Sequence, residues 1–276
     1  MLTIAAFAFK EARRKRLVLA VGLLSLGFLC LFALMARLLG THSSFAADPL
    51  ERHALGLGIV LFGVYLARSF AGLLAILVAA GAISTEVESG ALQSVLVRPV
   101  PRAAVVLGKF IGYGVMLVLY TVALQGAVLL LGLAVLGARL PSPAGVLAYL
   151  CLEPLILLAL TLFGSTFLPT LANGAAGILL YGLAVVGGDV EQMGVFLGNR
   201  ALSDIGIASS LLLPADVMYR RAFALASGGL GDAVTGVLGP IFGSLSRPDA
   251  LMVVYAVVYL GGLLAAAVAV FQRRDI

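Results

Sequence analysis

The feature that most constrains this chain is a series of long apolar runs with almost no charge. From Leu17 to Met35 the sequence has 19 consecutive uncharged residues, and a helix needs about 20 apolar residues to cross the hydrocarbon core of a bilayer. Of the 276 residues, 62% are hydrophobic and 11% are charged, whereas soluble domains are about a quarter charged. Lipid must therefore be the solvent for much of this protein.

The apolar runs predict helices rather than strands. Membrane β-barrels alternate apolar and polar residues, whereas these runs are apolar on every face, and helices satisfy their own backbone hydrogen bonds in hydrocarbon. We predict an all-α membrane protein, one transmembrane domain over 1–276 with six transmembrane helices. Their approximate positions are 17–38, 64–84, 110–137, 146–167, 171–188 and 250–271. Residues 54–63 would form an outer extension of the second helix or an interfacial turn.

Basic residues flank the apolar runs, in the pattern that sets membrane orientation. With six crossings, ten of the 18 basic residues fall on short segments on one side, which the positive-inside rule assigns to the cytoplasm. They are Lys10, Arg13, Arg14, Lys15, Arg16, Arg98, Arg102, Lys109, Arg273 and Arg274. We therefore predict that both termini are cytoplasmic, and we expect Arg102 and Lys109 to anchor the chain to lipid headgroups.

Several function classes are excluded by the same composition. The basic residues lie beside apolar runs and not on a polar surface, so we expect no nucleic-acid partner. Cys30 and Cys151 both lie inside apolar runs, and His42 and His53 have no nearby Cys or paired acids, so we expect no metal site. The sequence has no G-x-x-x-x-G-K-[ST] loop to bind nucleotide phosphates. We expect no catalytic site and no cofactor on this chain.

The stretch 85–103, between the second and third helices, is predicted to be an amphipathic cytoplasmic helix and loop. From Glu86 to Val97 the acids lie in the first turn and Arg98 follows the last turn, as the helix dipole favours. Leu92, Val95 and Leu96 share one face, and Pro99 and Pro101 stop the helix. Such a helix lies along the membrane surface.

Arg68, Gln125 and Glu153 are the polar residues inside the predicted crossings that we assign to a possible translocation path. Ionisable residues in lipid are costly and point to function. Arg68 and Glu153 lie about 16 and 15 residues from the inner ends of their helices, so they share a depth. We hypothesise that they pair, and the alternative is that each extends separately to the outer headgroups. Gln125 is expected to bridge helices.

The stretch 189–249 is predicted to be an amphipathic outer segment between the fifth and sixth helices. Its pattern indicates short helices broken by Pro214 that lie on the outer face. Three roles stay open for it: a lid, a contact for an external partner protein, or packing over the helix ends.

The stretch 81–112 resembles the first cytoplasmic loop of ABC-2 type transporter permeases, the membrane subunits of one class of ATP-binding-cassette transporter. That pattern has an acid pair, a glycine, leucines, a basic-Pro-Val-x-Arg run and a Gly-Lys pair. The matching residues are Glu86, Glu88, Gly90, Leu92, Leu96, Pro99, Val100, Arg102, Gly108 and Lys109. The layout is similar to the subgroup that contains the nitrous-oxide-reductase maturation permease and the gliding-motility permease.

The resemblance implies a multi-pass permease of the cell inner membrane, an exporter that forms a dimer with a second copy or a paralogue. A separate cytoplasmic ATPase, which would carry ATP and Mg, would dock through the loop helix. The coupling residues it implies are Glu86, Glu88, Gly90, Leu92, Leu96, Arg98, Pro99 and Arg102.

Two alternatives to this function remain at the level of the sequence. One is a membrane scaffold that transmits ATPase-driven mechanical work to a periplasmic partner. The other is an ATP-independent secondary transporter, although the inverted repeats common in that class are not evident here.

Overall fold

The computed structural model describes residues 2–14, 16–41, 49–88, 101–246 and 248–273. Within these residues the regular structure is helical. The helices are α1 (Leu2–Arg14), α2 (Arg16–Thr41), α3 (Pro49–Ala79), α4 (Ser84–Glu88), α5 (Arg102–Leu136), α6 (Pro143–Ser165), α7 (Thr170–Leu197), α8 (Arg200–Leu212), α9 (Ala215–Ser227), α10 (Gly231–Leu238) and α11 (Ala250–Arg273).

Six helices in the described ranges are long and apolar enough to cross a membrane, namely α2, α3, α5, α6, α7 and α11. The bent pair that begins with α8 could supply a seventh crossing by the same criteria of length and composition. The predicted all-α membrane protein with six spanning helices is confirmed.

Two of these helices extend well beyond the predicted crossings. α3 begins at Pro49, so residues 54–63 belong to one continuous helix and form no interfacial turn. α7 continues to Leu197, whereas the predicted crossing stops at 188. The sequence there becomes polar at Asp189, and the helix continues because that carboxylate has partners inside the protein. α7 ends where Gly198 adopts a left-handed conformation with a φ of 66°.

α3 and α6 form the centre of the bundle, and α2 and α11 lie at its edge. In α3 and α6, 61% of the most apolar stretch is buried, against 17% in α2 and 11% in α11. A helix that is apolar all round is suited either to a core or to lipid, and burial separates the two cases here. The central helices therefore position the site, and the outer ones present apolar surface.

An N-terminal helix that the sequence analysis did not assign precedes the first crossing. α1 packs along α5, where a Cβ at Gly112 would contact the Ala5 carbonyl oxygen and come within 2.8 Å of the Ala8 Cβ. The Tyr113 hydroxyl, fully buried on α5, donates to Glu11 Oε2 on α1 at 3.3 Å. Small residues on both helices permit this close approach.

The re-entrant segment, which we define as α8 and α9 (Arg200–Ser227), returns from the end of α7 into the bundle. α8 runs back along α7, with the Ser209 hydroxyl donating to the Leu183 carbonyl at 3.1 Å. The chain then bends by 109° near Pro214. The break at Pro214 matches the prediction, but the location on the outer face is wrong for α9, since most of its residues are buried.

We predict that Gly112→Ala destabilises the protein and loosens α1, because the added methyl group has no room between α5 and α1. Gly126→Ala, on the same helix, is the matched control, since a Cβ at Gly126 meets nothing within 4 Å. Thermal stability and proteolysis of α1 in detergent would measure both effects. Equal behaviour of the two variants would contradict the close packing.

Candidate functional site

Asp216, in the first turn of α9, is bound by two arginines inside the bundle. Arg68 Nη1 on α3 donates to Asp216 Oδ1 at 2.7 Å, and Arg220 Nε donates to Oδ2 at 2.5 Å. The three residues are 1–2% exposed. Charge-assisted hydrogen bonds are stronger than neutral ones, and an acid in the first turn is also favoured by the helix dipole. The re-entrant segment is thus fixed to α3 by an ionic contact.

Gly188 on α7 makes room for this carboxylate. A Cβ at that position would contact Asp216 Oδ2 and lie 2.7 Å from Arg220 Nη2. Both groups are bound by other atoms, so neither could move aside without losing a contact. The backbone of α7 therefore approaches the ionic contact as closely as a residue without a side chain allows.

The Arg68 guanidinium lies between two tyrosine rings. Its Cζ is 4.5 Å from the ring centroid of Tyr65 and 4.3 Å from that of Tyr219. Aromatic faces attract a cation, and the attraction is larger where water is excluded. The Tyr219 hydroxyl donates to the Phe242 carbonyl at 3.0 Å, which fixes that ring. The two rings hold Arg68 in position between α3 and α9.

Arg220 extends the network to α7. Its Nη2 lies 3.4 Å from Asp189 Oδ1, and the Tyr65 hydroxyl donates to Asp189 Oδ2 at 3.2 Å. Arg220 Nη1 also donates to the Gly243 carbonyl at 3.3 Å. The Asp189 side chain is 21% exposed, so this is the end of the network nearest to solvent.

Glu153 on α6 is the last acid of the network. Its Oε1 lies 3.9 Å from Arg68 Nη1 and accepts a hydrogen bond from the Tyr181 hydroxyl at 3.1 Å. The structure thus brings Arg68 and Glu153 together, as their shared depth predicts. Separate extension to the headgroups is wrong, because the two residues are 2% and 1% exposed. The closer partner of Arg68 is Asp216, which the sequence analysis missed.

Gln125, on α5, contacts α3 one helical turn before Arg68. Its Nε2 donates to the carbonyl of Val64 at 3.4 Å, and the residue is fully buried. This contact joins α5 to α3. The structure therefore gives Gln125 a bridging position between two helices.

A second ionic contact lies at the other end of the bundle. Lys109 Nζ on α5 is 2.6 Å from Glu86 Oε1 on α4, and it also donates to the Ala82 carbonyl. Lys109 is 4% exposed, so its predicted role as a headgroup anchor is wrong. Arg102 donates to the carbonyls of Phe271 and Gln272 at 3.2 and 3.0 Å, which ties the start of α5 to the end of α11.

The predicted coupling residues fall only partly in the described ranges. α4 begins the predicted helix and ends at Glu88. Gly90, Leu92, Leu96, Arg98 and Pro99 lie outside the described residues. Their docking role stays a prediction.

The charged groups described here form ionic contacts between helices. No group of three or more His, Cys, Asp or Glu that could hold a metal ion occurs in the part of the chain that the structure describes. Six apolar spans around a buried ionic network define a multi-pass membrane protein.

A family model narrows that class. The model described as ABC-2 family transporter protein matches residues 2–276, and the chain therefore belongs to the ABC-2 family of transporter proteins. No curated protein matches the sequence significantly. Members of this family are membrane components of transport systems, and their usual location is the inner membrane.

Asp216, Arg220 and Asp189 are the charged residues of the network that the sequence analysis did not select. Asp216 and Arg220 are four residues apart, a spacing that places opposite charges side by side on a helix. Their neighbours in α9 include the buried Val217, Met218 and Phe223. Opposite charges at this spacing among apolar residues were the available signal.

We predict that Asp216→Asn destabilises the protein severely, by about 3–5 kcal/mol, because it leaves two buried guanidinium groups without their shared carboxylate. Asp204→Asn, at an exposed acid on α8, is the matched control and should be nearly neutral. Thermal unfolding in detergent measures both variants.

A double-mutant cycle isolates the contact between the two charges. Arg68→Met combined with Asp216→Asn should cost less than the sum of the single variants, because each single change strands the other charge. Additive losses would show that the contact between α3 and α9 carries no coupling.

Proposed function

We propose that this chain is the permease subunit of an ABC transporter that exports a substrate, and that ATP hydrolysis takes place on a separate subunit. The observation that carries the proposal is the family match, which extends over residues 2–276. ABC transporters pair a membrane permease with an ATPase, so the proposed partner is a cytoplasmic ABC ATPase that binds ATP and Mg. The second half of the pathway would be another copy of this permease or a paralogue.

The contacts at the inner end support coupling through the segment 85–103. Glu86, at the start of this segment, is joined to Lys109 of α5 at 2.6 Å. Lys109 also contacts the carbonyl of Ala82, just after α3. A force applied to the segment by an ATPase would therefore reach α5 and the end of α3 through an ionic contact whose lysine is buried, and not only through the backbone.

The sides of the bundle also fit a permease that works beside another membrane subunit. α2 and α11 are the least buried of the spanning helices, so each presents apolar surface to lipid or to a second permease. With both termini in the cytoplasm, as we propose, the Glu86–Lys109 end of the bundle faces the ATPase.

A translocation path along Arg68, Gln125 and Glu153 requires a change of conformation. All three are buried and make contacts within one subunit. We propose that the path opens beside them when α9 moves away from α3. The charges would then meet the path only in the open state.

We predict that Leu92→Ala combined with Leu96→Ala reduces recovery of the ATPase in a pull-down, because the sequence predicts that both leucines lie on one apolar face, which a partner groove would bury. Loss of two such contacts is worth a few kcal/mol, enough for at least a tenfold loss of binding. The measurement is the ratio of ATPase to permease recovered in mild detergent.

The matched control for this double variant changes two exposed apolar residues at the other end of the bundle. Phe196→Ala with Leu197→Ala removes side chains that are each 61% exposed at the end of α7. ATPase recovery should be normal in this control. Equal recovery with both double variants would refute docking through the leucine face.

We predict that residues 89 and 200 lie on opposite sides of the membrane. In a background with Cys30 and Cys151 replaced by alanine, Arg200→Cys should react with an impermeant maleimide in intact cells, because Arg200, the first residue of α8, is exposed and lies on the outer side in the proposed orientation. Ser89→Cys should react only after permeabilisation. Labelling of both from outside would overturn the proposed orientation.

A further inference from the structure

The charges of the buried network do not balance when all its acids are ionised. Two cations, Arg68 and Arg220, face three acids, Glu153, Asp189 and Asp216. Asp216 takes the two shortest contacts, one from each arginine, and Asp189 takes the remaining contact of Arg220. These four residues form a neutral chain of alternating charge. Glu153 is the acid that remains.

The contacts of Glu153 are those of a neutral carboxyl group. Its nearest cation is 3.9 Å away and is already bound more closely by Asp216. Its other contact is a neutral hydroxyl, that of Tyr181, at 3.1 Å. Glu153 Oε2 is buried and has no hydrogen-bond partner among the described residues. An ionised carboxylate would need more donors than this at 1% exposure.

The other cations on the helices around Glu153 lie near helix ends or bind other groups, so they do not compensate a negative charge on Glu153. α3 brings Arg68 and Tyr65, α7 brings Tyr181, and α9 brings Asp216 and Tyr219. Other cations on these helices are Arg52 in the first turn of α3, Arg221 on α9, which donates to the Pro248 carbonyl, Arg102 and Lys109 near the start of α5, and Arg273 in the last turn of α11. Arg102 and Lys109 bind groups at the inner end of the bundle.

We propose that Glu153 is a proton-binding site, and that in this conformation its carboxyl group is protonated. An uncompensated buried charge is so costly that such a group binds a proton instead. A neutral hydroxyl at Oε2 without a partner costs less than a charged oxygen in the same place. The proton makes the whole network neutral.

Loss of this proton would change the contact that holds α9. An ionised Glu153 attracts Arg68, which lies between it and Asp216 at distances of 3.9 and 2.7 Å. Glu153 belongs to α6 and Asp216 belongs to the re-entrant segment. Proton release therefore weakens the hold of α3 on α9, and proton binding restores it.

Infrared spectroscopy of the full chain in lipid nanodiscs tests the proposal directly. The spectrum of the wild type minus that of Glu153→Gln at neutral pH should contain the carbonyl stretch of a protonated carboxylic acid, since the lipid ester bands cancel in the difference. Asp204→Asn is the matched control, because it removes an exposed acid of α8 that lies outside the network and leaves the charges of the network unchanged. The band should persist in that variant.

A second measurement follows thermal stability from mildly acidic to mildly alkaline pH. The folded state binds a proton that the unfolded chain releases, so the wild type should lose stability as the pH rises, and Glu153→Gln should lose less. Absence of the carboxylic-acid band, its loss in Asp204→Asn, or identical pH profiles of the wild type and Glu153→Gln would each overturn the proposal.

Discussion

The carboxylate of Asp216 is the contact on which the packing of α9 against α3 and α7 depends. It binds α3 through Arg68 at 2.7 Å and its own helix through Arg220 at 2.5 Å. Arg220 in turn contacts Asp189 on α7. Burying charges removes their hydration, and that cost is offset only where each charge has close partners of opposite sign. A single acid therefore decides whether two arginines can remain inside an apolar protein.

Charge is scarce in this sequence, and the buried charges lie at joints between helices. At the end of the bundle opposite to Gly198, Lys109 joins α5 to Glu86 of α4. Arg102 binds the last carbonyls of α11, where the helix leaves acceptors without intrahelical partners. Helices in lipid gain little from burying apolar surface against one another, so polar contacts at a few points can determine how the bundle is assembled.

The sequence predicts the spanning helices well because length and hydropathy are local properties. The same reasoning predicts that Arg68 and Glu153 meet, since both are single charges at a similar depth. It could not predict Asp216 as the closer partner, because Asp216 is 148 residues from Arg68 in the chain and lies in a segment that reads as an outer helix. Local pattern does not show that a segment turns back into the bundle.

Two other differences between the sequence predictions and the structure have the same origin. α1 reads as a basic flank, and its packing against α5 depends on the missing side chain of Gly112, which no periodicity marks. Lys109 reads as a headgroup anchor because basic residues beside apolar runs usually are, and its burial depends on Glu86 and on the carbonyl of Ala82. The fold class follows from composition, whereas the site follows from contacts between distant segments.

The two residues of the central ionic contact, Arg68 and Asp216, are also synthesised at different times. Arg68 is synthesised 148 residues before Asp216, which at about 5–20 residues per second is about 7–30 s on the ribosome. During this interval α3 has been made but the carboxylate that compensates its arginine has not. Glu153 is made earlier than Asp216, and its side chain lies 3.9 Å from Arg68 in the finished protein. In a nascent chain Glu153 is the first acid of the buried network to be made. The acid without a cation of its own in the finished bundle can therefore stabilise Arg68 before Asp216 has been synthesised.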